Sequence, residues 1–197
     1  MIVTAPPRPY SGTMDVDEFM AFLEMRPKEE RWDLIEGVAV MMAPPSLAHQ
    51  WIARNLCELL NGAFETQGSG LHAYHEIAIR LPGVLNFQPE PDVVVAPGPA
   101  GPDLYAQDFR LVAEILSPSN RRTEINMKLQ RYSQAASNLY AVVVEPHEIL
   151  VEIHARSRNW EPIVLKRRDD LIEMPEFRLR CAVRDLYRGT TLDQQPG

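Results

Sequence analysis

Two carboxylates stand inside otherwise apolar runs. Asp92 follows Pro91 and opens Val93-Val94-Val95-Ala96; Glu114 interrupts Leu111-Val112-Ala113 and Ile115-Leu116. β-Branched runs bounded by breakers predict buried strands. A carboxylate in such a strand loses solvation and needs a cation, a donor or a proton. The breaker-rich loop Pro97-Gly98-Pro99-Ala100-Gly101-Pro102 lets the two strands lie side by side and bring the carboxylates together. Two hard oxygen ligands with room for water suit magnesium or manganese. The competing structural reading has Asp92 capping a turn and Glu114 paired with an arginine. For either residue taken alone, that reading is the better one.

Lys128 is the next candidate. It lies at the edge of the helical stripe Ile125, Leu129, Tyr132 and Ala136. A lysine there ordinarily snorkels to solvent; beside two strand carboxylates it can instead aim its ammonium at them. Ser119-Asn120-Arg121-Arg122 opens the same helix, and helix-start N–H groups with Arg121 and Arg122 make an anion site. Taken alone, a solvated basic turn is the simpler reading. His72 and His75 fall three apart on an expected strand, point to opposite faces and do not chelate together.

The positioning elements follow from periodicity. A short helix is expected over Asp15–Met25, with Asp15 and Glu18 forming a capping box. Trp32 to Met42 predicts a hairpin turning near Glu36-Gly37. Ser46 then caps a helix running to about Phe64, whose row Ile52, Leu56, Leu60 and Phe64 faces the core. A strand is expected over His72–Leu81, then the two carboxylate strands, then a helix from Arg121 or Arg122 to about Ser137. Strands over Leu139–Val144, Ile149–His154 and Trp160–Lys166 follow, and 173–183 adds an edge strand. One domain over 1–197 is expected, with residues 1–12 an extended arm and 189–197 a frayed tail.

Composition narrows the class. Apolar residues make up 45% and charged residues 24% of 197, as in a globular domain. The net charge of −7 excludes a nucleic-acid coat, so phosphate must be met by a local basic patch or a bridging metal. Cys57 and Cys181 have no zinc or redox spacing and fit a reducing compartment. No stretch is long and apolar enough for a membrane span and no signal core is present; a cytoplasmic protein without a membrane partner is expected.

Several stretches together carry a resemblance. They are Trp32-Asp33-Leu34-Ile35-Glu36-Gly37, Pro44-Pro45-Ser46 with His49, Pro91-Asp92-Val93, Glu114-Ile115-Leu116-Ser117-Pro118-Ser119, and Lys128 with Tyr132. In these the chain resembles the Uma-type family of predicted endonucleases, within the PD-(D/E)xK restriction-endonuclease-like superfamily. The resemblance implies an α/β (α+β) fold: a restriction-endonuclease-like core, a mixed β-sheet flanked by helices, with an N-terminal hairpin and extra C-terminal strands. It implies hydrolysis of DNA phosphodiester bonds with Mg2+ or Mn2+ held by Asp92, Glu114 and the main-chain carbonyl of Ile115. The lysine of the usual Glu-x-Lys is replaced by Leu116, and the resemblance transfers its role to Lys128. Arg121 and Arg122 become phosphate contacts. A third acidic group is common in the superfamily; Glu36, Asp33, His49 and Glu76 are the secondary candidates, with His49 equally suited to a phosphate contact or to its helix cap. A homodimer is expected by analogy with nucleases that cut both strands. A catalytically inactive nucleic-acid-binding or interaction module of the same fold is the alternative function. A structural protein with both carboxylates paired to arginines is a third, disfavoured by the cost of burying both.

Overall fold

The computed structural model describes residues 13–99, 101–117 and 122–193. The extended arm expected over 1–12, Arg121 with the turn before it, and residues 194–197 lie outside them.

Helix α1 (Val16–Glu24) begins with the expected capping box: Asp15 accepts from the Glu18 N–H at 2.9 Å and Glu18 accepts from the Asp15 N–H at 3.0 Å. Strands β1 (Trp32–Ile35) and β2 (Val38–Met41) pair antiparallel through a two-residue turn. Both turn residues are left-handed, Glu36 at φ 50° and Gly37 at φ 79°, which matches the twist of the flanking strands. Helix α2 (Leu47–Gln67) starts at Ser46, whose hydroxyl accepts from the His49 N–H at 3.2 Å, and stops at left-handed Gly68. Then come β3 (Leu71–His75), β4 (Ala78–Ile79), β5 (Val93–Pro97), β6 (Tyr105–Ala106) and β7 (Leu111–Ile115). Helix α3 (Arg122–Gln134) leads to β8 (Tyr140–Glu145), β9 (Leu150–Ala155) and β10 (Pro162–Leu165). The hairpin β11 (Leu171–Met174) and β12 (Leu179–Ala182) and the short α4 (Val183–Leu186) complete the described chain.

Six strands form the main sheet in the order β10-β9-β8-β7-β5-β3. Its pairs are antiparallel except β7 with β8, whose parallel pairing is bridged by α3 as crossover. Strand alternation divides the side chains between two layers. Val93, Val95, Ala113 and Ile115 pack with Ile52, Leu56, Leu60 and Phe64 of α2, the row expected to face the core. Val94 and Val112 pack with Tyr132 of α3 and Ile35 of β1 on the opposite face. Glu114 shares the parity of Val112, so it faces α3 and the N-terminal hairpin.

Four expectations change. The strand expected over 72–81 breaks at Glu76, which sits at φ 51°, so only β3 joins the main sheet and β4 pairs in parallel with β6. The 173–183 edge strand is a separate hairpin, because a 3-10 turn at Pro175–Phe177 reverses the chain. The α3 stripe ends at Ala135, not Ala136, since the helix stops at Gln134. Gly189 to Asp193 do not fray: Thr190 and Leu192 are buried, and Arg168 donates to the Asp193 carbonyl at 2.8 Å.

Candidate active site

Pairing of Val93 with Ala113 sets Asp92, the residue before β5, beside Glu114. Asp92 is 5% exposed and Glu114 3%. Asp92 is fixed from two sides: its Oδ2 accepts the Ile115 N–H at 2.6 Å, and its Oδ1 lies 3.2 Å from His49 Nε2. His49 stands in the first turn of α2, aimed by the Ser46 cap. Its Nδ1 is buried with no hydrogen-bond partner among the described residues.

Glu114 is held by α3. The Tyr132 hydroxyl donates to its Oε1 at 2.5 Å, and Lys128 Nζ donates to Oε1 at 3.2 Å and Oε2 at 3.0 Å. Lys128 and Tyr132 are four apart on the helix and so point the same way. Lys128 does not snorkel: it is 2% exposed and meets Asp33 Oδ2 of β1 at 2.7 Å. The other Asp33 oxygen accepts the Glu90 N–H at 2.8 Å.

These contacts set the charges. Burial pushes the Glu114 carboxyl up to about 7; Lys128 pulls it down, while Asp92 and Asp33 push it further up. Burial opposes the charge on Lys128, but Asp33 and Glu114 outweigh it and hold the ammonium above its ordinary value. Burial, then Glu114, raises the Tyr132 phenol, which therefore remains a donor.

Two small cavities flank this cluster. One of about 20 Å³ is lined by Asp92, Glu114, Ile115, His49 and Arg31. One of about 40 Å³ is lined by Asp33, Lys128, Glu124 and Ile125. Met42, Ala43 and Ser117 border both. Each has room for water but none for a nucleotide, since a single water needs roughly 10–15 Å³ on this measure. The larger hollow of about 430 Å³ near α1, lined by Phe19, Leu23, Trp32 and Tyr105, lacks the carboxylate pair; charge, not volume, marks the site.

The remaining sequence candidates are placed elsewhere. Glu36 is bound by Arg131 at 2.5 and 2.6 Å and lines neither cavity. Glu76 meets Arg31 at 2.6 Å and stands outside the cavities. Arg122 gives its guanidinium to Glu152 at 2.7 Å; Glu152 lies on the sheet face of Glu114, in line with it across Val143. Arg31 is not among the sequence candidates; it follows Lys28-Glu29-Glu30, and nothing in that charged run singles it out. It bridges Glu76 and Glu90 and borders the smaller cavity.

The donor set suits a divalent ion. Three buried carboxyl groups, Asp33, Asp92 and Glu114, face one buried ammonium, and with all three ionised they would carry an excess of negative charge that a 2+ ion would offset. Among the described residues no three carboxylate, imidazole or thiol groups converge to hold an ion unaided. A hard ion held by Asp92 and Glu114 would need water or phosphate oxygens to complete its coordination.

Comparison with known proteins gives the family and the fold. The sequence matches the Uma2 family, described as "Putative restriction endonuclease", over residues 16–184. Among solved structures, a "putative nuclease belonging to DUF820" from Anabaena variabilis ATCC 29413 superposes with a TM-score of 0.72 at 21% identity, covering 88% of this chain and 97% of that one. No curated protein matches. The fold is restriction-endonuclease-like.

Proposed function

Because the chain belongs to the Uma2 family, we propose that it is an endonuclease that hydrolyses DNA phosphodiester bonds with Mg2+ or Mn2+. The observation that carries this reading is the meeting of Asp92 and Glu114 from adjacent strands with the buried ammonium of Lys128. Asp92, Glu114 and the Ile115 carbonyl hold the ion in this proposal. When bound, the ion polarises a phosphoryl oxygen and lowers the pKa of a water.

The chain's own groups do the rest. The Ile115 N–H and His49 lock Asp92, so its orientation costs nothing at the moment of reaction. Tyr132 does the same for Glu114. Lys128 offers the only buried ammonium among the described residues to orient water or stabilise charge on the phosphoryl oxygens. With a net charge of −7, the chain must meet DNA locally, and Arg31, Arg121 and Arg122 are the proposed phosphate contacts. Met42, Ala43 and Pro45 border the small cavity at Asp92 and Glu114. A homodimer, one centre per strand, is part of the proposal.

The test is cleavage of plasmid and single-stranded DNA with manganese, magnesium or EDTA. Wild-type cleavage that needs metal is expected, falling to background in Glu114→Ala and by about 10²- to 10³-fold in Lys128→Ala. Wild-type inactivity with every metal, despite manganese binding, would replace this reading with a nucleic-acid-binding module.

A further inference from the structure

Lys128 has two carboxylate partners where one would neutralise it. Nζ lies 2.7 Å from Asp33 Oδ2, closer than the 3.0 and 3.2 Å to the Glu114 oxygens. Both Glu114 oxygens are thereby engaged, Oε1 by Tyr132 and Lys128 and Oε2 by Lys128. A carboxylate coordinates an ion with the same lone pairs it offers to donors. Oε1 is fully taken and Oε2 keeps one lone pair beside the ammonium. An ion joining Glu114 at Oε2 therefore exchanges charge there with Lys128, and two cations on one oxygen repel unless the ammonium is held elsewhere.

Asp33 is built to make that exchange possible. It is fully buried, its second oxygen is anchored by the Glu90 N–H, and it comes from β1 rather than from the carboxylate strands. It lines the cavity that holds Lys128, while Glu114 lines the other. Resting on the reading of Asp92 and Glu114 as ion ligands, we propose that Asp33 is a positioning residue. It retains the Lys128 ammonium so that Glu114 can turn an oxygen to a divalent cation. Without Asp33, the buried ammonium has only Glu114 to neutralise it, and the ion and the lysine compete for the same oxygens.

A double-mutant cycle reads this without any turnover. Manganese affinity is measured by titration, following the paramagnetic signal of the free ion, for wild type, Asp33→Asn, Lys128→Gln and the double variant, with a thermal melt for each. Asp33→Asn is expected to weaken manganese binding about 10- to 100-fold, as loss of a supporting contact does. Removing the ammonium as well is expected to restore it, because no second cation then competes for Glu114 Oε2. An unchanged affinity in Asp33→Asn overturns the proposal. So does a double variant as weak as Asp33→Asn, which would make Asp33 a ligand. If Asp33→Asn does not fold, the double variant, with neither of the two charges left, decides between the same alternatives. Wild type that binds no manganese brings down the ion-site reading and this inference together; wild type that binds while Asp33→Asn is unchanged leaves the ion site standing.

Discussion

One strand, β7, has two faces with opposite economies. Toward α2, Leu111, Ala113 and Ile115 join an apolar layer with Val142, Val144, Leu56 and Leu60. Toward α3, Val112 is followed by Glu114, and around it gather Asp33, Asp92, Lys128 and Tyr132, all buried. The first face is held by area removed from water, roughly 25 cal/mol per Å², without regard to direction. The second is held by direction, since a desolvated charge is tolerable only while each partner stays in place. The difference teaches that the apolar face can carry stability so that the charged face can carry a site whose carboxyl is held away from its preferred ionisation.

The comparison breaks most visibly at Lys128. Lys128→Met strands Asp33 and Glu114 and is expected to cost about 3–5 kcal/mol at neutral pH in urea unfolding. Leu56→Ala on the opposite face should cost a similar amount, about 2–5 kcal/mol. The two separate on acidification: the Lys128→Met deficit shrinks as the stranded carboxyls take protons, and the Leu56→Ala deficit persists.

A finer test is the pH dependence of Glu114 itself. Its carboxyl stands at about 7 in the folded protein against 4.5 for a free glutamate. The folded state therefore binds more protons between these values, and Glu114's contribution to stability falls as pH rises from 4.5 towards 7. Glu114→Gln is expected to flatten that slope in unfolding curves across the window. The smallest effect belongs to the pair of Glu36 and Arg131, which is partly exposed. Glu36→Gln should lose at most about 1 kcal/mol and leave metal binding untouched. A large effect there would mean that the charged face extends to the hairpin turn.

Much of this could be read along the chain. The caps at Asp15 and Ser46, the Glu36-Gly37 turn and the α2 core row are local matters of hydrogen bonding and periodicity, and all appear where the sequence puts them. Asp92 and Glu114 stood out because a carboxylate in an apolar run conflicts with its surroundings. What periodicity misjudged was a backbone reversal: nothing in the alternation of 72–81 announces that Glu76 turns left-handed.

The sequence by itself determined most of the elements, the buried acids and the lysine that could serve them, because propensity, capping and burial pattern act over a few residues. Only the tertiary structure decided the partners. Lys128 is 95 residues from Asp33 in the chain and 14 from Glu114, and no local rule ranks one over the other. Docking of the N-terminal hairpin against α3 places Asp33 closer and sends Glu36 to Arg131 instead. Charge selection in a buried site depends on distances between elements, and those are fixed only when the layers pack.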